Sequence, residues 1–193
     1  MNISEIQKLA HAQAVKSGWW EGDPDIDEKI VLIHSELSEA LEEYRNPERD
    51  IRQIYYSVGE RDKGKMCNYD TICNALPTHK PCGFGVEIAD ALLRTLDVME
   101  YLGTTYITGC THKLYPELDW PPYIPIRIKL LHESVSRCPT MVPYLKYDLG
   151  KYSELCDCIL YVAGDSRIDL ERCITEKMAY NATRPHRHGG KRC

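Results

Sequence analysis

Residues 84–102 constrain the fold more than any other stretch. Val86, Ile88, Ala89, Ala91, Leu92, Leu93, Leu96, Val98, Met99 and Leu102 leave a helix here apolar around most of its circumference, so it must be covered on nearly every side. Its polar residues, Glu87, Asp90, Arg94, Asp97 and Tyr101, recur at i, i+3, i+7, i+10 and i+14 and form one narrow stripe. Carboxylates on a buried helix need a partner charge or a metal ion. Gly103 ends the helix.

A second acidic pair of the same spacing, Glu36-Leu37-Ser38-Glu39, lies in a helix expected over residues 25–45. Ile26, Ile30, Ile33, Leu37, Ala40, Leu41 and Tyr44 recur there at steps of three and four. Glu36, Glu39 and Glu43 form a stripe roughly 90–120° from the apolar centre. Leu32 lies on the same side, which implies that this face is partly covered. Taken alone, such a pair is most simply a solvated helix face. The second pair, on a helix too apolar for the surface, makes a shared cation the better explanation for both.

The rest of the chain supplies more helices. Residues 2–17 are amphipathic, with Asn2 or Ser4 as the cap, and Gly18 ends them. Of the adjacent Trp19 and Trp20, one can face the core and the other can line a pocket and stack on a flat ligand. Further helices are expected over 124–137, 150–163 and 170–182, the last capped by Asp169. Lys177, Asn181 and Arg184 share one face of it at i, i+4 and i+7. Two segments lie outside this helical core, at about 46–82 and 104–165. In the first, 51–58 is a short helix or strand. Cys67, Cys73, His79 and Cys82 form C-x5-C-x5-H-x2-C, without the tight C-x2-C of zinc loops. Unlinked thiols are the preferred reading there, and a structural zinc site is the alternative.

The hairpin at 124–163 has two open readings. Leu131-His132-Glu133-Ser134-Val135-Ser136-Arg137 aligns with Ile33-His34-Ser35-Glu36-Leu37-Ser38-Glu39, and Glu154-Leu155-Cys156-Asp157 repeats the spacing of Glu87 to Asp90. Either the hairpin is a degenerate repeat whose acids became Ser134 and Arg137, or amphipathic helices resemble one another by chance.

Bulk properties narrow the function classes. The chain has 193 residues, enough for a single domain, and a net charge of -5 gives no general reason to expect nucleic-acid binding. No apolar run approaches the ~18 residues of a membrane span. The N-terminus Met-Asn-Ile-Ser-Glu-Ile lacks a basic start and an apolar core, so a cytoplasmic location with reduced thiols is expected for the nine cysteines. The four carboxylates form an all-oxygen set, which selects Mg²⁺, with Mn²⁺ as a substitute. Mg²⁺ keeps positions open for water and substrate phosphate. A di-iron site needs Glu-x-x-His, and none of the seven histidines follows a Glu by three. The glycines before Lys191 lack Walker spacing.

With those residues in view, the sequence resembles the MazG-like all-α nucleoside triphosphate pyrophosphohydrolases of phages and bacteria. The resemblance rests on Gly18-Trp19-Trp20, on residues 33–45, on Lys80-Pro81 with 85–91, and on Glu176-Lys177-Met178-Ala179-Tyr180-Asn181-Ala182-Thr183-Arg184-Pro185-His186-Arg187-His188-Gly189-Gly190-Lys191-Arg192. It covers about half the chain. It implies an all-α helical bundle and Mg²⁺-dependent hydrolysis between the α- and β-phosphates of a (deoxy)nucleoside triphosphate. The products are a nucleoside monophosphate and pyrophosphate, as in nucleotide-pool house-cleaning. Metal ligands fall on Glu36, Glu39, Glu87 and Asp90, with Glu36 or Glu39 handling the attacking water. Substrate contacts fall on Trp20, Lys177, Asn181, Arg184, Arg187 and Lys191. Relatives assemble, so a homo-oligomer is implied, a dimer if the hairpin is a repeat. Many members have an additional acid where this chain has Ser35, and the spacing between its acidic pairs is longer than usual. The competing expectation, from another class, is a catalytically silent helical binding or regulatory protein.

Overall fold

In the computed structural model the described residues are 1–22, 24–57, 66–68, 79–109, 123–140 and 149–190, with backbone alone at 66–68. They are mostly helical. The helices are α1 (Ile3–Lys16), α2 (Ile26–Arg45), α3 (Phe84–Tyr101), α4 (Ile124–Val135), α5 (Gly150–Asp165) and α6 (Leu170–Thr183). Local chemistry sets their starts. Asn2 accepts from the Glu5 amide, Asp25 from the Asp27 amide and Asp169 from the Arg172 amide. At α4, Pro125 stands in the first turn, where its missing N–H costs nothing.

α3 is the central element. Every residue from Phe84 to Leu93 is buried, and α1, α2, α5 and α6 all pack on it. Ile33, Leu37 and Ala40 of α2, Leu155 and Ile159 of α5, and Ile174 of α6 meet Ile88, Leu92, Leu96 and Met99 in one core. Gly85 lets α6 approach closely. A Cβ there would sit 2.7 Å from Ile168 Cγ2 and 3.1 Å from Cys173 Sγ.

The segment before α3 is a small antiparallel sheet, which an all-α expectation did not include. β1 (Tyr55–Ser57) pairs on one side with β2 (Met66–Asn68) and on the other with β3 (Lys80–Cys82), in the order β2-β1-β3. Tyr55 stands opposite Cys82, so β3 delivers the chain directly into α3. Of the zinc-type ligands, Cys73 and the side chain of Cys67 lie outside the described residues, while the Cys82 thiol donates to the Tyr55 carbonyl.

The α4–α5 hairpin lies against the α2–α3 hairpin with like helices facing, α2 on α4 and α3 on α5. The aligned residues His34 and His132 meet. Their rings stack 7° from parallel with centroids 5.1 Å apart, and their Nδ1 atoms are 2.8 Å apart, so one ring donates and the other accepts. Ser38 and Ser136, also aligned, each donate to the carbonyl of their own hairpin's histidine.

Among the described residues, no helix is long and apolar enough to cross a membrane.

Candidate functional site

The two acidic pairs converge because α2 lies along α3. Glu36 comes from the middle of α2, and Glu87 and Asp90 come from the first two turns of α3. All three are buried, whereas Glu39, one turn after Glu36, is exposed. One carboxylate oxygen from each of Glu36, Glu39 and Glu87 lies within 4.8 Å of the others. Asp90 stands beside this cluster, its carboxylate turned to the ammonium of Lys177. That ammonium is 2.9 Å from Asp90 Oδ2 and 3.4 Å from Glu87 Oε2. Arg94 donates to Glu36 Oε1 at 2.7 Å.

These cations do not fully balance the acids. Burial, reinforced by Asp90, pushes Glu36 up to about 8 against the pull of Arg94 and Lys177. Burial raises Glu87 as well, although Lys177 opposes it. Asp90 goes the other way. Burial works against its ionisation, but Lys177 and Arg94 outweigh it and hold Asp90 below its ordinary value. The shorter ion pair and the nearby guanidinium separate Asp90 from Glu87. Burial disfavours the Lys177 ammonium too, yet Asp90 and Glu87 hold its pKa above the ordinary lysine value. Two of the buried carboxylates therefore resist ionisation unless more positive charge arrives.

The cluster opens into a cavity of about 200 Å³, lined by the acids Glu36, Glu39 and Asp90, by the cations Lys80, Arg94, Lys177 and Arg184, and by Leu32, Trp19 and His188. A second cavity of about 90 Å³ adjoins it and shares Trp19, Asp90, Arg94, Arg184 and His188. Ala10, Ala14, Leu93, Asp97 and Asn181 are among the residues that complete its wall. The Asn181 Oδ1 atom is buried there without a hydrogen-bond partner.

No protein-family model, curated protein or solved structure matches the chain. The geometry and the sequence patterns are therefore what bear on function.

The structure brings most of the expected residues together: Glu36, Glu39, Glu87, Asp90, Lys177, Asn181 and Arg184 all border the two joined cavities or their acid cluster. Three expectations fare differently. Trp20 borders neither cavity. Its indole N–H donates to Asp97 Oδ1 at 2.8 Å, its ring stacks on Tyr101 with centroids 4.1 Å apart, and the Lys29 ammonium lies 5.0 Å from its centre. Trp19 is the tryptophan that lines both cavities. Arg187 points away from the acids and binds the α1–α2 turn, donating to the Gly18 and Glu21 carbonyls. Lys191 lies outside the described residues.

Further cavity residues, Lys80, Arg94 and His188 among them, were visible in the sequence without being assigned a role. Arg94 belongs to the polar stripe of α3, the next member after Glu87 and Asp90 in the same i, i+3, i+7 series. His188 belongs to the basic tail, and only the path of the tail places it over the site.

Among the described residues, the second hairpin carries no such acid cluster. Arg137 donates to Ser134 Oγ at 2.8 Å, Lys151 holds both oxygens of Glu154, and Asp157 accepts from the Tyr106 hydroxyl at 2.5 Å. Each position aligned with the acids is hydrogen-bonded or paired internally.

Proposed function

We propose that this chain hydrolyses a nucleoside triphosphate at the α–β phosphate bond, as a MazG-like pyrophosphohydrolase with Mg²⁺ as its cofactor. The observation that carries the proposal is the gathering of acids and cations around one cavity. Three carboxylate oxygens lie within 4.8 Å of one another, and Lys177, Arg94, Arg184 and Lys80 line the same space.

The donor set fits a hard divalent cation. All three ligands are carboxylate oxygens, and burial leaves Glu36 and Glu87 short of positive charge. Glu36, Glu39 and Glu87 would hold the ion, with Asp90 supporting them through Lys177. When bound, Mg²⁺ lowers the pKa of a coordinated water and neutralises phosphate oxygens.

The side chains supply the rest. Glu39 is exposed, and among the described residues it has no ion-pair partner, so it is the freest carboxylate to orient the attacking water and take its proton. Glu36 is tied to Arg94 and serves mainly as a ligand. Lys177 and Arg184, one helix face of α6, neutralise the departing pyrophosphate, and Lys80 reaches the same cavity from β3. Trp19 offers an apolar face to the nucleoside. In this reading the α4–α5 hairpin is a degenerate copy that lost the α2 pair of acids, to Ser134 and Arg137, which is consistent with the meeting of His34 with His132. A dimer is the expected assembly, and the cytoplasm the expected location.

The alternative is a silent binding protein of the same fold, favoured by Lys177 and Arg94 already neutralising part of the acid set. Pyrophosphate release from a panel of nucleoside triphosphates, with and without Mg²⁺, separates the two. Release that needs Mg²⁺ and vanishes in Glu36→Gln/Glu87→Gln supports the enzyme. No release from any triphosphate, or full activity in the double variant, overturns it.

A further inference from the structure

After Pro185 the chain turns back over the α1–α2 connection. Arg187 and His188 take left-handed backbone angles, with φ of 45° and 50°. Side chains seldom adopt such angles, and two in succession need external anchoring.

The anchors are on the page. The Arg187 amide donates to the Ser17 carbonyl at 2.9 Å. Its Nε donates to the Gly18 carbonyl at 3.1 Å and its Nη2 to the Glu21 carbonyl at 3.2 Å. Glu21 also reaches back, with His186 Nε2 3.1 Å from both its carboxylate oxygens. Gly18 leaves room for this. It has a φ of +83°, and a Cβ there would lie 2.1 Å from His186 Nε2. The fastening delivers His188 edge-on to Trp19, at 85° with centroids 4.8 Å apart. Trp19 and His188 each line both cavities.

We propose that residues 185–190 form a strap that sets the Trp19–His188 wall of the site, and that Arg187 and Glu21 are positioning residues acting through that wall. The inference rests on the nucleotide reading of the cavity. It assigns the tail to holding the nucleoside part of the substrate and leaves its phosphates to Lys177, Arg184 and Lys80. Arg187 spends its guanidinium on the turn, so it has no remaining role as a phosphate ligand.

The test uses the full chain with Glu21→Ala, Arg187→Ala and Arg187→Lys. Glu21 is exposed at 58% of its side chain, so its replacement keeps the fold, which a thermal melt checks. Two probes separate the parts of the substrate: the deoxynucleoside triphosphate that the wild type hydrolyses fastest, and inorganic tripolyphosphate as a competitor with no base. The expected result for Glu21→Ala and Arg187→Ala is a KM raised about ten-fold with kcat changed far less, and a tripolyphosphate inhibition constant within about two-fold of wild type. Arg187→Lys restores little, because a lysine cannot span the Gly18 and Glu21 carbonyls together. A parallel loss of tripolyphosphate binding overturns the proposal, since Arg187 would then be a phosphate ligand.

A readout independent of turnover is acrylamide quenching of Trp19 fluorescence, taken as the difference from matching chains that carry Trp19→Phe. Quenching rises when the strap is released. Unchanged quenching in both Glu21→Ala and Arg187→Ala also overturns the proposal. If the wild type releases no pyrophosphate at all, the nucleotide reading fails, while the quenching result still decides whether the strap sets Trp19.

Discussion

Lys177 shows how one side chain can hold an overcharged site together. It is 3% exposed and contacts both Asp90 and Glu87. Removing it leaves two buried carboxylates without their nearest cation. Lys177→Met is expected to lose about 3 kcal/mol of stability in Mg²⁺-free buffer, the lower end for breaking a buried ion pair, because Glu87 can take up a proton instead. Adding Mg²⁺ should recover more stability in this variant than in the wild type, because a bound cation replaces the missing charge. Urea unfolding with and without Mg²⁺ measures both, and an equal Mg²⁺ response in the two chains would count against a cation among these acids. The tryptophans make a related point. Trp19 and Trp20 are equivalent in any reading of spacing or composition. Their separate roles come from Asp97 and Tyr101, which capture the Trp20 ring, and from the tail, which reaches Trp19.

Among the helices, two contacts set how the elements pack. Gly85 lets α6 sit close to α3, and α6 carries Lys177 and Asn181 and leads directly into Arg184. Gly85→Ala pushes its Cβ into Ile168 and Cys173, so it should cost about 1–3 kcal/mol by overpacking. It should also weaken Mg²⁺-dependent turnover by displacing α6, with no change in any site residue. A thermal melt paired with a rate assay checks this, and full activity with normal stability would show that the interface yields freely. The second contact is His34 with His132, where α2 meets α4. Burial lowers both imidazoles from the usual 6.5, and the neighbouring His34 lowers His132 further. Their folded values lie below the unfolded one, so in between the unfolded chain binds more protons. The contribution is complete above about pH 6.5 and is lost as pH falls through the folded values. His132→Gln should therefore flatten the decline in stability between about pH 7 and pH 5, as measured by urea midpoints. A slope unchanged from wild type would mean that the pair does not titrate there.

Across the whole molecule, two hairpins face each other, and their aligned acids meet different partners. Asp90 and Asp157 occupy aligned positions, but Asp90 faces Lys177 while Asp157 accepts from Tyr106. Asp90→Asn should abolish the thermal stabilisation by Mg²⁺, and Asp157→Asn should leave it intact. Loss of the Mg²⁺ response in both would place a cation site in each hairpin.

The helices, their approximate limits and the dominance of α3 were legible because apolar periodicity is a local property of the chain, and the Asn2 and Asp169 caps are local as well. The facing of the two acidic pairs was legible in part, because a polar stripe on a buried helix must meet something. The strand at 55–57 was legible only as one of two readings of 51–58 and the strand at 80–82 not at all, since three-residue strands carry too little alternation and depend on pairing partners about 25 residues apart in sequence. Chain chemistry by itself determined a helical protein with two carboxylate pairs and a basic face on its last helix. Tertiary structure decided which charges meet. It set Lys177 between Glu87 and Asp90, put Arg94 on Glu36, and spent Arg187 on the α1–α2 turn. The reason is physical. Periodicity says which face of a helix is buried, but a long charged side chain can reach several partners, and only the packing of the other helices selects among them.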